Sequence, residues 1–196
     1  MRFLTLLAAL AIVAGCGSRE VLQPHSAANP AKINFAGYWT LNEDPVTTAR
    51  RLNQAIRKMA GIRYDVFRPR QPGAEQRRTR SASGGLVHVF FEDGESLKIT
   101  QTPSAIFISF DRAVVEEFRF GENREISLGE VTAQRVSGWD GPAYVVETLD
   151  RNGMKLTERY LLSGDRQTLI RQITFRSKQQ QEMTVVETFS RRPGAA

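Results

Sequence analysis

The sequence has 196 residues, 41% of them hydrophobic, and 27 basic against 21 acidic side chains give a formal net charge of +6. Its single cysteine, Cys16, excludes an internal disulfide, so a folded domain must be stabilised by its hydrophobic core. Two histidines and one cysteine also leave few side chains for a metal centre or a nucleophile.

The first 15 residues have the pattern of a signal peptide: Arg2 is charged, Phe3–Ala14 are almost all apolar, and small residues precede Cys16. The apolar run is short for a membrane span. The letters VAGC resemble the bacterial lipobox, which implies cleavage before Cys16, a diacylglyceryl thioether on its sulfur and, in Gram-negative bacteria, acylation of the new N-terminus. Gly17 replaces the Asp that retains enterobacterial lipoproteins at the inner membrane, so the resemblance implies the periplasmic face of the outer membrane. The alternative is an ordinary signal peptide with a spare thiol, a liability in an oxidising compartment.

Residues 16–32 comprise the lipidated cysteine and a polar segment with two prolines and no apolar period, which predicts a flexible tether. Residues 33–191 are predicted to form one domain, followed by a tail at 192–196. From Leu97 onward, apolar residues recur with period two between turn residues such as Gly121-Glu122-Asn123 and Asn152-Gly153, which is typical of an antiparallel meander. With the first strand INFAGYWTL, the pattern predicts a mainly β domain that closes into a barrel of about 8–9 strands.

An insertion at 45–83 separates the first strand from the meander. Asp44 before Pro45, the apolar residues of the next four turns and Gly61 predict an amphipathic helix whose stripe covers one barrel opening. The Arg-rich stretch after Gly61 predicts a mobile loop. The segment 86–94 stays open between strand and helix.

The stretches GYWTLN, LKITQT, WDGPAYVVET and LTERYLLSGDRQTL are spaced as in a group of uncharacterised exported proteobacterial proteins, which this chain resembles. The resemblance implies a lipocalin-like β-barrel and no established activity. Gly37-Tyr38-Trp39 also resembles the G-x-W start of lipocalins, in which the tryptophan closes one barrel end beneath an arginine from a late strand. Arg191 or Arg192 are the candidates for that arginine.

No catalytic motif is present, so an enzyme is not predicted. Neither His25 nor His88 has metal-ligand spacing, there is no G-x-S-x-G elbow or phosphate-binding glycine loop, and Cys16 is taken by the anchor. No cofactor and no metal are expected. Nucleic-acid binding is not expected either, because the lipobox resemblance directs the chain to a compartment without it.

Strand parity selects the candidate ligand-binding residues of the barrel interior. Arg171, Glu158 and Glu147 each share a strand face with apolar residues, so they are predicted to form a buried charged cluster that orients the polar end of an amphiphile. Tyr160 lies on the same face as Glu158, and Trp39 lies in the first strand, two residues after Gly37. The other interpretation is that these charges lie near strand ends and reach solvent.

Positive charge is concentrated in the insertion: Pro45–Arg80 contain ten basic and two acidic residues. Anionic phospholipid headgroups are the predicted partner. The other interpretation is a solvated basic surface. The candidate membrane-facing residues are Arg50, Arg57, Arg70, Arg77, Arg78 and Arg80.

Two functions follow from these patterns. The first is a membrane-anchored, periplasm-facing lipoprotein whose barrel binds a small apolar or amphiphilic molecule. The second is a barrel filled by its own side chains, which acts as a protein-interaction or envelope-assembly module without a ligand. A small barrel is compatible with both.

Overall fold

A computed structural model of the chain describes residues 19–29, 33–60 and 87–193. Cys16 and the signal segment lie outside the described residues. Within the described ranges the protein is mainly β, with ten strands and one α-helix between the first two. The strands are β1 Gly37–Leu41, β2 Ser96–Gln101, β3 Ala105–Phe110, β4 Val114–Arg119, β5 Glu122–Leu128, β6 Val131–Asp140, β7 Ala143–Asp150, β8 Lys155–Leu162, β9 Thr168–Arg176 and β10 Glu182–Arg191.

All strand pairs are antiparallel and the sheet order is β4-β3-β2-β1-β10-β9-β8-β7-β6-β5. The first strand therefore lies between β2 and the last strand, with Trp39 opposite both Leu97 and Arg191. Only β4 and β5 lack a pairing that would close the circle. The predicted lipocalin-like barrel is confirmed as a nearly closed, ten-stranded barrel.

The additional strand is β5, where the sequence predicted a turn at Gly121-Glu122-Asn123. The turn is tighter than predicted: Gly121 has φ +73° and Glu122 already belongs to β5. Because β5 is largely polar and half exposed, it shows little of the period-two apolar pattern.

Helix α1 spans Pro45–Ala60, as the sequence predicts. Asp44 caps it, because its Oδ2 accepts a hydrogen bond from the amide of Thr47 at 2.8 Å. Its apolar face, which includes Leu52 and Ile56, packs on Ile173 and on the other barrel residues of a buried cluster. These are Phe175, Val185, Met154 and Leu156, at the end of the barrel where β7–β8 and β9–β10 turn. The helix therefore covers one opening, which we call the helix-capped end.

The segment 86–94, which the sequence left open, contains neither a strand nor an α-helix in its described part. Val87–Phe90 form a 3-10 helix in which all four side chains are buried, and Phe91 and Glu92 after it are buried as well. We call Val87–Glu92 the inserted segment. It packs against β7 and β8, so a stretch outside the barrel wall fills part of the interior.

The predicted flexible tether is wrong for residues 20–28, which lie along the outer surface of the barrel. Leu22 is buried against Val136 of β6 and Leu149 of β7, and the amide of Leu22 donates to Gln134 Oε1 at 2.8 Å. Ser26 forms an antiparallel bridge with Trp139. One leucine in a polar stretch gives no periodic signal, although its burial removes an apolar patch from the outer wall.

No helix in the described ranges is long and apolar enough to cross a membrane.

Candidate ligand site in the barrel interior

Arg171 of β9 lies at the centre of a buried charged cluster and is fully inaccessible to solvent. Its Nε donates to Glu158 Oε2 at 3.0 Å and its Nη1 donates to Glu187 Oε2 at 3.2 Å. Its Nη2 donates to Glu158 Oε2 at 2.5 Å and to the main-chain carbonyl of Glu92 at 2.6 Å. The guanidinium is thus held by two adjacent strands and by the inserted segment.

Strand register explains why these groups meet. Glu187 is the cross-strand partner of Arg171 on β10, and Tyr160 is its partner on β8. Directly paired residues point to the same face of a sheet, so all three enter the interior. The Tyr160 hydroxyl donates to Glu158 Oε2 at 2.9 Å and completes the cluster.

Aromatic rings surround the guanidinium. Its central carbon lies 5.0 Å from the ring centroids of both Phe91 and Phe110, and 5.7 Å from that of Tyr160. Such cation–π contacts stabilise a desolvated guanidinium. The cluster therefore combines an apolar surrounding with directed hydrogen-bonding groups, as ligand pockets commonly do.

The two carboxylates share one guanidinium, so their negative charge is not fully balanced. Burial raises the pKa of Glu187 to about 7, although the attraction of Arg171 opposes that rise. Burial likewise raises the pKa of Tyr160 well above its usual value, which keeps its hydroxyl protonated as a donor. Glu187 therefore titrates near neutral pH.

A second buried arginine, Arg135 of β6, lies beside the opening between β4 and β5. Its Nη1 donates to Glu116 Oε2 of β4 at 3.1 Å and its Nε donates to Thr148 Oγ1 at 3.2 Å. The rings of Phe90 and Phe118 lie 5.7 and 5.4 Å from its guanidinium carbon. Burial raises the pKa of Glu116 despite this ion pair. Arg135 thus links β4 to β6 where the sheet itself is open.

The structure brings together three of the interior residues predicted from the sequence, namely Arg171, Glu158 and Tyr160. Glu147, also predicted there, lies on the outer face: its Oε2 is 3.2 Å from His25 Nε2 and its Oε1 accepts from Lys155 Nζ at 2.8 Å. The alternation of residues along β7 did not identify its inner face, because both faces of the strand are buried. One face lies against the barrel interior and the other against residues 20–28.

Sequence reasoning missed Glu187 and Arg135. The tetrapeptide VVET occurs at 145–148 and at 185–188, and its glutamate faces outward in the first copy and inward in the second. Glu187 shares its inward face with Val185 and Phe189, a signal that was available in the sequence. Arg135 is flanked on its own face by Ala133 and Ser137, which give no comparable signal.

Trp39 lies at the end of the barrel opposite the helix, in the same buried hydrophobic cluster as Phe110 and Tyr160. It is fully buried, and its indole Nε1 donates to the carbonyl of Phe35 at 3.0 Å. Arg191 covers its ring, which selects Arg191 from the two predicted candidates; Arg192 instead donates to Thr40 Oγ1 at 2.6 Å. This placement suits closure of the barrel end, which we call the tryptophan end.

The predicted membrane-facing residues fall into two groups. Arg50 and Arg57 are exposed on the outer face of α1. Arg70, Arg77, Arg78 and Arg80 lie outside the described residues. Among the residues that the structure does describe, no group of three or more His, Cys, Asp or Glu side chains is arranged to hold a metal ion.

No protein-family profile matches the chain, and no curated protein matches it in sequence. The resemblance to exported proteobacterial proteins therefore remains a prediction.

Solved structures with a similar architecture are lipocalin-like and fatty-acid-binding-like β-barrels. Lipid binding protein 8 of Caenorhabditis elegans, in its apo form, has a TM-score of 0.48 and 11% identity over 83% of this chain and 100% of its own. Secretory abundant heat soluble protein 4 of Ramazzottius varieornatus has a TM-score of 0.47 and 14% identity over 88% and 99%. Zebrafish ileal bile acid-binding protein, complexed with cholic acid, has a TM-score of 0.46 and 15% identity over 81% and 98%.

Proposed function

We propose that the protein is a lipid-anchored barrel that binds a small apolar or amphiphilic molecule in its interior. The observation that carries this proposal is the contact of the inserted segment with Arg171. Phe91 places an apolar ring on the Arg171 guanidinium and the Glu92 carbonyl accepts a hydrogen bond from it. An amphiphile bound beside Arg171 would offer the same two features, an apolar body and an oxygen that accepts a hydrogen bond.

The charges of the cluster restrict the polar end of such a ligand. Glu158 and Glu187 already oppose Arg171, so a third carboxylate would bring excess negative charge into a desolvated site. A neutral head that accepts a hydrogen bond, such as an ester, amide or hydroxyl group, replaces the Glu92 carbonyl without that cost. We therefore propose a neutral amphiphile with a single acyl or alkyl chain.

The ligand test uses the purified full chain and two probes with the same chain length, monododecanoylglycerol and dodecanoate. Native mass spectrometry should show one bound monododecanoylglycerol and weaker binding of dodecanoate at pH 8. Amide exchange of the inserted segment should increase in the complex, because the ligand takes its place beside Arg171. Arg171→Met should lose the preference between the probes, whereas Arg166→Met, at an exposed turn, should keep it.

Attachment to the membrane is the second part of the proposal. It rests on the lipobox-like VAGC sequence and on the absence of Asp at position 17, and it implies the periplasmic face of the bacterial outer membrane. Two or three acyl chains hold a protein far more firmly than one. Labelling of cells with a clickable fatty acid should tag the wild type and leave Cys16→Ser untagged; equal labelling of both would contradict the anchor.

The second candidate function is a filled barrel that acts as an interaction or envelope-assembly module. The observation that favours it is the completeness of the cluster: Arg171 makes four hydrogen bonds to the chain itself while fully buried. If neither probe binds and the inserted segment stays protected, the filled barrel becomes the better description.

A further inference from the structure

The N-terminal segment that precedes β1 has a fixed path on the barrel. Glu20 forms an ion pair with Arg176 at the end of β9. The amide of Leu22 donates to Gln134 Oε1 at 2.8 Å, and Gln134 Nε2 donates to the Leu22 carbonyl at 3.0 Å. Further along, Ser26 pairs with Trp139 through two main-chain hydrogen bonds of 3.2 and 2.8 Å. The segment therefore runs from the helix-capped end to the tryptophan end.

The start of this path lies close to the residue that would carry the acyl chains. Cys16 precedes Glu20 by four residues, which span at most about 14 Å when fully extended. Arg176 follows Phe175, whose side chain packs with the helix. An anchor at Cys16 is therefore confined to the neighbourhood of the helix-capped end.

The surface presented at that end is basic. The outer face of α1 carries exposed Arg50, Gln54, Arg57 and Lys58, and the helix contains no acidic residue. A cleft of about 390 Å³ lies along this face between Arg50 and Arg57. A basic residue near an anionic membrane surface contributes on the order of 1 kcal/mol, within about one Debye length.

We infer that the docked N-terminal segment holds the barrel in one orientation on the bilayer, with the outer face of α1 against anionic phospholipid headgroups and the tryptophan end pointing away. This inference rests on the proposed anchor at Cys16. It assigns the docked segment a role that a flexible tether lacks, because a tether of the same length would let the barrel rotate freely.

The test measures orientation in the acylated full chain on vesicles that contain phosphatidylglycerol. Acylation consumes the Cys16 thiol, so a new cysteine is the only reactive thiol and receives a spin label. Gln54→Cys places the label on the outer face of α1, and Gly164→Cys places it in the turn before β9, at the tryptophan end. A paramagnetic lipid headgroup should relax the label at 54 strongly and leave the label at 164 unaffected.

Two sets of variants separate the docked segment from the charges. Leu22→Asp should release the segment and reduce the difference between the two labels. Removal of three charges from the helix face should weaken the relaxation at 54, whereas removal of three charges elsewhere should not. The helix set is Arg50→Gln, Arg57→Gln and Lys58→Gln, and the control set at the tryptophan end is Arg119→Gln, Arg166→Gln and Arg192→Gln.

The possible failures are distinguishable. An intact mass without acyl groups would remove the anchor and the orientation with it. An acylated, vesicle-bound protein with equal relaxation at both labels, or with stronger relaxation at 164, would overturn the orientation and leave the anchor intact. Unchanged relaxation at 54 in the helix set would show that headgroups do not contact that face.

Discussion

The guanidinium carbon of Arg191 lies 4.2 Å from the centroid of the Trp39 ring and covers it at the end of the barrel. Arg191 is fixed there by hydrogen bonds to the carbonyls of Ala36 at 2.7 Å and Arg166 at 3.1 Å. Gly37 makes the approach possible, because a Cβ at this position would lie 2.5 Å from Arg191 Nη1. Gly37 and Trp39 of β1, with Ala36 just before them, thus close this end of the barrel together with Arg191, the last residue of β10.

Trp39→Ala should lower the free energy of unfolding by about 3–5 kcal/mol, as expected for removal of a large buried aromatic side chain. Urea denaturation measures the loss. Tyr38→Ala is the control, because Tyr38 points away from the interior and is only half buried. Equal losses in the two variants would contradict a structural role specific to Trp39.

Arg171→Met should lower the free energy of unfolding by about 3–5 kcal/mol, because it leaves two buried carboxylates without their partner. Arg159→Met removes an exposed ion pair with Asp140 and should cost about 1 kcal/mol or less. Adding Glu187→Gln to Arg171→Met should restore part of the stability. A loss below about 1 kcal/mol for Arg171→Met alone would contradict the buried cluster.

Stability should fall as pH rises from about 4.5 to about 7, because Glu187 has a pKa of about 7 in the folded protein and its ordinary value is 4.5. The folded state binds more protons than the unfolded state in this range, so the unfolding free energy decreases with pH. The loss of unfolding free energy from ionising Glu187 is absent below about pH 4.5 and complete above about pH 7, where it is on the order of 3 kcal/mol.

The check compares urea unfolding at pH 5 and pH 8. Glu187→Gln should flatten the dependence, leaving the smaller contribution of Glu116, whose pKa is also raised. Glu182→Gln, on the same strand but exposed, should behave like the wild type. A Glu187→Gln curve parallel to that of the wild type would show that another group titrates.

The barrel was predictable from the sequence because nine of its strands are apolar, β-branched or aromatic stretches bounded by turn residues, whereas the polar strand β5 is not. The helix was predictable from its Asp44 cap and its apolar spacing, since both signals are local. The inward position of Arg171 followed from its apolar neighbours Leu169 and Ile173 on the same strand face.

The inserted segment and the outward position of Glu147 were not predictable in the same way. Both depend on contacts between parts of the chain that are far apart: Glu92 meets Arg171, and residues 20–28 cover β7. Parity identifies which residues share a face of a strand, and it does not identify which face is interior when both are covered.

Gly138→Ala should release residues 25 and 26 from the barrel without unfolding it. A Cβ at position 138 would lie 2.6 Å from the Ser26 carbonyl oxygen and 2.9 Å from the His25 Cβ, so the docked segment must move away. Hydrogen exchange should then increase at Ser26, whose amide donates to the Trp139 carbonyl, while β9 and β10 stay protected.

Gly164→Ala is the matched control, because nothing lies within 4 Å of the Cβ that it adds. Its exchange pattern should equal that of the wild type. The Gly138→Ala variant should also weaken the contact of His25 Nε2 with Glu147 Oε2, which depends on the same segment. Unchanged protection at Ser26 in Gly138→Ala would mean that strand β6 shifts instead, and that the segment is bound to the barrel more firmly than its few contacts suggest.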